Sequence, residues 1–197
     1  LNLAVFLSGR GSNFEAILEA IDKGTLAASV CLVVTHNPSA LGARTALSRG
    51  IPVVLLQRES FPDGGSFATA MIAALQRHSV DWIVLAGYMK MVPPAVVKAF
   101  PGQIVNIHPA LLPKFGGKGM FGHHVHQAVL DAGETVTGVT IHFVDEIYDH
   151  GLVIAQETVP VLPGDTAATL GARVLEMEHL IYPRILAKIA GEYHSRQ

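Results

Sequence analysis

The sequence predicts an α/β fold: a mostly parallel sheet flanked by helices, with an antiparallel section toward the carboxyl end. Three observations predict it. Short β-rich runs alternate with longer helical patterns through the first half of the chain, the signature of crossover units around a parallel sheet. Two strand-like runs then follow one another across a short polar loop, which is the pattern of a hairpin. A long helical pattern closes the chain. The 197 residues are 50% hydrophobic and 15% charged, enough apolar material for one well-filled core, which excludes a disordered or fibrous chain. Without a repeat, a low-complexity linker or a shift in composition, residues 1–197 are expected to form one domain.

The elements follow in order. Residues 3–7, 30–35, 52–56, 82–85 and 103–107 are strand candidates, short and rich in Val, Ile and Leu. Helical stretches begin near Asn13, Leu41, Ser66 and Pro94, and turn residues such as Gly24 and Gly50 close several of them. Residues 136–144 and 152–161 form the expected hairpin, and 167–190 has helical periodicity in which Pro183 should cause a kink or break. Trp82 reads as core packing. The glycine-rich stretch 115–122 is the one long irregular loop, and such loops more often serve a site than a core.

Fourteen Lys and Arg against sixteen Asp and Glu give a net charge of −2, so there is no broad basic field for nucleic acid or a membrane surface. Small-molecule chemistry is favoured instead. The one cysteine, Cys31, lies within the apolar run 30–34 and reads as a buried strand thiol of a reducing compartment. No segment approaches the ~18 apolar residues of a membrane span, and the opening run 1–7 is too short for a secretory leader. A cytoplasmic location is expected. The residues specify no oligomeric state.

Chemistry concentrates in Asn106-Ile107-His108-Pro109-Ala110-Leu111-Leu112-Pro113, which follows an apolar strand. Strand side chains alternate, so Asn106 and His108 share one face while Val105 and Ile107 take the other. They converge where open α/β sheets bind ligands, at the carboxyl end of a strand. The plainer alternative is that both only satisfy backbone groups as the strand ends. Ser8-Gly9-Arg10-Gly11-Ser12-Asn13 lies between the first strand and the first helix, where glycines permit a tight turn and free helix amides hold a phosphate. It lacks the third glycine of a dinucleotide fingerprint and the lysine of a P-loop. Ser12 and Glu15 also have the spacing of a capping box.

In the hairpin, Gly138, Thr140 and His142 occupy one face and Val139, Ile141 and Phe143 the other. The following loop carries Asp145, Glu146 and Asp149, any of which could pair with a histidine, raising its pKa and fixing its orientation. Spacing does not choose among the three. His123-His124-Val125-His126 resembles a metal tract but has no Cys or carboxylate at ligand spacing, so no metal is expected. Glu178 and His179 sit in the terminal helix, where such residues commonly face solvent.

Taken together, Ser8-Gly9-Arg10-Gly11-Ser12-Asn13, Leu85-Ala86-Gly87-Tyr88-Met89-Lys90, the segment 106–113 and Gly138-Val139-Thr140-Ile141-His142-Phe143-Val144 resemble the phosphoribosylglycinamide formyltransferase family. The similarity is collinear and extends to Glu178-His179-Leu180-Ile181-Tyr182-Pro183. It implies a Rossmann-like sheet and transfer of a formyl group from 10-formyltetrahydrofolate, a reduced folate, to the amine of glycinamide ribonucleotide in purine biosynthesis. By residue matching it implies catalytic roles for Asn106, His108 and Asp149, the last because the family's aspartate lies just before the glycine represented by Gly151. Gly11, Ser12 and Asn13 would hold the ribonucleotide phosphate and Glu178 the ribose hydroxyls. Met89, Lys90, Val92, Ile104 and Tyr148 would border the folate.

Those residue types suit the implied chemistry. A neutral amine attacks the formyl carbon, negative charge grows on the formyl oxygen, and an amide with an imidazolium aimed there would stabilise it. Asp149 would orient His108 and favour its charged form. Two departures from the resemblance stand out: the segment 116–122 is longer than in familiar members, and Gly64 stands where an arginine helping to hold the folate glutamate tail is expected. Two other functions fit the same residues. Hydrolysis of 10-formyltetrahydrofolate would use water in place of the amine, and a non-enzymatic phosphate-ligand module would leave Asn106 and His108 structural.

Overall fold

The computed structural model describes residues 1–195. Five parallel strands, β1 (Asn2–Phe6), β2 (Ser29–Thr35), β3 (Val53–Leu55), β4 (Trp82–Leu85) and β5 (Ile104–His108), are followed by β6 (Val136–Phe143) and β7 (Val153–Pro160). They form one sheet in the order β3-β2-β1-β4-β5-β6-β7. β6 pairs antiparallel with both β5 and β7, as expected of the hairpin. The helices are α1 (Ser12–Asp22), α2 (Leu41–Ser48), α3 (Gly64–Arg77), α4 (Pro94–Ala99), α5 (His123–Asp131) and α6 (Ala167–His194).

Alternation along the strands divides the core in two. Val5, Val33, Val84, Val105 and Ile107 join Phe14, Ile17, Ile181 and Ile185 of α1 and α6 on one face. On the other face Phe6, Leu32, Ile83 and Ile104 meet Phe67, Met71 and Leu75 of α3. Both sheet faces are therefore covered, which is why the parallel strands read as continuous apolar runs. Trp82 is partly buried at the margin of the first cluster. Cys31 is half-buried rather than fully enclosed, with its Sγ 3.5 Å from the Leu3 carbonyl.

Two local expectations need correction, and one helix was not foreseen. The capping box of Ser12 and Glu15 does not form, because Gly11 is the N-cap in a left-handed conformation (φ 84°) and no side chain caps the helix. Pro183 does not break α6, which runs 28 residues through it. Pro183 and its neighbours Tyr182, Ile185 and Leu186 are all buried, so tertiary packing outweighs the lost helix hydrogen bond. Finally, α5 begins within the histidine tract and was hidden by its weak helix formers; Gly122 is its N-cap.

Tyr182 ties this helix to the strands that carry the polar residues. Its ring is fully buried and its hydroxyl lies 3.0 Å from the Leu85 carbonyl of β4 and 3.2 Å from the Val105 carbonyl of β5. One hydroxyl hydrogen thus serves two carbonyls. Tyr182→Phe is expected to lower unfolding free energy by about 1–3 kcal/mol, the cost of orphaning a buried acceptor; urea unfolding at constant m-value checks it. A change below about 0.3 kcal/mol would show that the hydroxyl does not pin α6 to the sheet.

Candidate active site

The chain leaves β1 toward β2 and β3 on one side of the sheet and returns to β4 on the other side of β1. This reversal opens a crevice at the strands' carboxyl ends, the place where open α/β sheets bind ligands. A cavity of about 880 Å³ occupies it. Ser8, at the end of β1, holds the opposite rim in place: its backbone N–H donates to the Gly87 carbonyl at 3.1 Å, and its hydroxyl accepts from the Met89 N–H at 2.8 Å.

Asn106 and His108 project from the same face of β5, while Val105 and Ile107 enter the core. Antiparallel pairing sets His142 of β6 directly opposite Asn106. Asn106 Nδ2 lies 3.1 Å from His142 Nε2 and 3.5 Å from Asp149 Oδ1. His142 Nδ1 is 2.8 Å from the Phe143 carbonyl; a carbonyl only accepts, so Nδ1 carries the hydrogen and Nε2 accepts from Asn106. His108 Nε2 likewise donates to the Phe115 carbonyl at 2.8 Å, leaving Nδ1 3.6 Å from Asp149 Oδ2. Of the three loop carboxylates, Asp149 is the one that reaches this cluster. Asp145 instead pairs with the exposed His150 at 2.8 Å, and Glu146 with Lys98 at 3.5 Å. His142 joins the group without having been singled out as a site residue; its position on the polar face of the hairpin is the one sign of it in the sequence.

The electrostatics of the two partners oppose each other. Burial alone would raise the Asp149 pKa, but its interactions with His142, His108 and the Gly117 amide hold it below the ordinary carboxylate value. Burial pushes the His108 pKa below that of free imidazole, and the nearby Asp149 carboxylate only partly counters it. The resting ring is therefore neutral at pH 7 rather than the expected imidazolium, because little water reaches it to solvate a charge. The glycine-rich segment completes the cluster: Gly117 N–H donates to Asp149 Oδ2 at 2.9 Å while Phe115 holds His108.

Gly11, Ser12 and Asn13 line the other end of the cavity with Glu178. Gly11 is required twice over, by its positive φ and because a Cβ there would lie 2.8 Å from Gly42 Cα. With no side-chain cap on α1, the amides of its first turn are free for an anion. Glu178 is not a surface residue; it accepts from Asn13 Nδ2 at 2.5 Å and is buried. Burial raises its pKa to about 7 against the opposing Asn13 bond. Met89, Lys90, Val92 and Tyr148 line the same cavity. Ile104 does not: it is buried in the core cluster shared with α3, since its place two residues before Asn106 puts it beneath the strand end rather than at it. Of the histidine tract, His126 is buried and His123 and His124 are exposed. Among the described residues no three or more His, Cys, Asp or Glu side chains are grouped to hold a metal ion.

A family model described as formyl transferase matches residues 1–186. Over 190 residues the chain is 46% identical to the chloroplastic phosphoribosylglycinamide formyltransferase of Vigna unguiculata, with 96% of this chain and 61% of that one covered. It is 45% identical to the enzyme of the same name from Arabidopsis thaliana, covering 96% of this chain and 65% of that one. The chain thus spans roughly three fifths of the length of these curated relatives. It is also similar to the crystal structure of phosphoribosylglycinamide formyltransferase from Bacillus halodurans, with 39% identity, a TM-score of 0.90 and coverage of 96% and 95% of the two chains. No helix among the described residues is long and apolar enough to cross a membrane.

The raised pKa of Glu178 makes stability depend on pH in a defined direction. Below about 4.5 the carboxyl is protonated in both folded and unfolded states and contributes nothing. As pH rises toward 7 the unfolded state loses its proton first, so folding is increasingly penalised, by about 3 kcal/mol above the folded pKa. Glu178→Gln is expected to be more stable than wild type at pH 8 and to lose that advantage by pH 4, as read from urea unfolding across the range. A difference that does not vary with pH would refute the buried carboxyl as its source.

Proposed function

The chain belongs to the formyl transferase family, and from that premise we propose that it transfers the formyl group of 10-formyltetrahydrofolate to the amine of glycinamide ribonucleotide, a step of purine biosynthesis. The observation that carries the reading is one cavity joining an uncapped glycine turn, a buried carboxyl and the cluster of Asn106, His108, His142 and Asp149. Gly11, Ser12 and Asn13 bind the phosphate, and Glu178 the ribose hydroxyls. The reduced folate lies along Met89, Lys90, Val92 and Tyr148. No metal enters the reaction as proposed. A cytoplasmic location is part of the same proposal, supported by the free thiol of Cys31; the two plant relatives are named chloroplastic.

The chemistry is direct. The acceptor nitrogen attacks the formyl carbon as a neutral amine, of which an α-amino-type pKa near 8 leaves a useful fraction at pH 7. As the carbon becomes tetrahedral, Asn106 and His108 donate to its oxygen, which requires His108 to exchange the Phe115 carbonyl for the substrate. Negative charge accumulates on the oxygen as the proton released by the amine passes to His108 Nδ1, and Asp149, ionised and 3.6 Å from that nitrogen, supports the ring as it becomes positively charged. The bond from the carbon to the folate nitrogen then breaks, and that nitrogen receives the proton through His108 or a water held on Asp149. No covalent enzyme intermediate forms.

A transferase consumes 10-formyltetrahydrofolate only when glycinamide ribonucleotide is present, and His108→Ala or Asp149→Asn lowers kcat by ~10²-fold or more with substrate KM values changed far less. Stopped assays of both products test this. Equal consumption without the ribonucleotide would establish hydrolysis in place of transfer. Retention of ligand affinity without turnover in wild type would establish a binding module. Because a side chain at Gly11 collides with Gly42, phosphate recognition is better tested with the riboside lacking the phosphate: its KM is expected to rise at least ~100-fold, the worth of a charge-assisted anion site.

A further inference from the structure

Ser8 is a junction at the end of β1 where three segments of the chain meet. Its N–H donates to the Gly87 carbonyl at 3.1 Å, its carbonyl accepts from Asn37 Nδ2 at 2.9 Å, and its hydroxyl oxygen accepts from the Met89 N–H at 2.8 Å. The hydroxyl hydrogen remains to be placed. Ser8 is buried, and its Oγ lies 3.2 Å from His36 Nδ1; a buried O–H is rarely left unbonded, so Nδ1 accepts from it and the ring hydrogen sits on Nε2. Burial and the Lys90 ammonium push the His36 pKa down against the opposing pull of Glu59, which keeps the ring neutral and Nδ1 able to accept. The two bonds run in one direction, from Met89 N–H to Ser8 and from Ser8 O–H to His36, so each strengthens the other.

His36 stands behind the folate-side wall. It lines a neighbouring cavity of about 860 Å³ with Arg58 and Glu59, and Tyr88, Lys90 and Met91 line both that cavity and the one described above. Its ring meets Tyr88 edge-on with centroids 5.7 Å apart, and Tyr88 in turn meets Phe6 of the core at 5.2 Å. His36 thus supports two successive residues of the turn after β4, Tyr88 by ring contact and Met89 through Ser8. The turn needs such support. Gly87 takes a left-handed conformation (φ 77°) and Met89 is 49% exposed, so hydrogen bonds rather than apolar packing fix the course of the chain there.

We infer that His36 is a positioning residue for the formyl-donor subsite: by accepting the Ser8 hydrogen it fixes the oxygen that anchors the Met89 amide, and so sets the wall against which the reduced folate lies. This assignment rests on the formyl-transfer reading above. Without an acceptor at position 36 the hydroxyl turns to find another, and its lone pair leaves the Met89 N–H. The acceptor substrate, held from the opposite wall by the glycine turn and Glu178, does not feel the change.

Steady-state kinetics of His36→Leu, His36→Asn, Ser8→Ala and the double variant Ser8→Ala/His36→Leu separate this relay from simple packing. Leucine removes the acceptor, whereas asparagine carries Oδ1 on Cγ as imidazole carries Nδ1. His36→Leu is expected to raise the KM for 10-formyltetrahydrofolate roughly fivefold, the worth of one hydrogen bond, with kcat reduced by less than about twofold and the ribonucleotide KM unmoved. His36→Asn recovers most of the loss. Ser8→Ala raises the same KM at least as much, and adding His36→Leu to it changes that KM by less than about twofold more, because the relay is already broken. In an active wild type, an unchanged folate KM in His36→Leu overturns this inference alone, as does an equal rise in both KM values, a failure of asparagine to rescue, or penalties that multiply in the double variant. A wild type with no ribonucleotide-dependent turnover overturns the formyl-transfer reading, and this one with it.

Discussion

A carboxylate kept ionised out of water is the constraint around which the cavity is organised. Asp149 is largely enclosed, and an enclosed charge is tolerated only when nearby groups replace its hydration. Here the donors come from separate parts of the chain, Asn106 Nδ2 from β5 and the Gly117 amide from the glycine-rich segment, with the rings of His108 and His142 packed beside the carboxylate. None is adjacent to Asp149 in sequence, so the fold must be complete before the charge is stable. Asp149 itself sits at φ 52°, a backbone conformation that costs a non-glycine residue energy and persists only where surroundings over-determine it. The antiparallel hairpin supplies that determination: β6 carries His142 beside Asn106, and the loop after it delivers Asp149 to both histidines.

Much of this was legible from residue order because strand periodicity is a local property. Alternation alone places Asn106 and His108 on one face and sends Val105 and Ile107 to the core. Other features depend on contacts the chain makes only after folding. Choosing Asp149 over Asp145 requires knowing that Asp145 turns to His150, a contact within the loop that spacing permits for either residue. Glu178 reads as a surface residue of an amphipathic helix until α1 packs beside it and Asn13 becomes its partner. Ile104 shows the reverse error: it shares the face of Asn106 and His108, yet depth along the strand, which periodicity does not encode, leaves it in the core. Pro183 is a strong local signal overruled by the burial of the helix around it.

The cavity is divided by the topology that creates it. Moving from β1 outward to β3 and then back to β4 leaves the first glycine turn and the 87–92 turn on either side of one crevice, with β5 and β6 as its floor. An anionic, hydroxyl-rich ligand suits the side walled by α1 and α6, where free amides and a titrating carboxyl are found. An apolar aromatic ligand suits the side of Met89, Val92 and Tyr148. In the proposed transfer, two ligands held from opposite walls would meet over Asn106 and His108, and that placement would remove much of the barrier before any proton moves.

The glycine-rich segment then has a physical task that its side chains do not reveal. Its contacts with the reacting cluster are made by backbone: the Phe115 carbonyl accepts from His108 and the Gly117 N–H donates to Asp149. Both bonds require the main chain to pass very close to the aspartate. At Gly116 a Cβ would lie 2.5 Å from Leu112 Cδ2 and 3.2 Å from Asp149 Cβ, and Gly117 adopts φ 97°. Glycine is thus demanded at 116 by space and at 117 by conformation. A segment built this way holds His108 and Asp149 in register, and in the proposed reaction it would yield the imidazole hydrogen when a more basic oxygen develops beside it. The same backbone carbonyl that satisfies a buried neutral ring is a weaker acceptor than an oxyanion, so under the proposed mechanism the exchange would run downhill only as the tetrahedral centre forms.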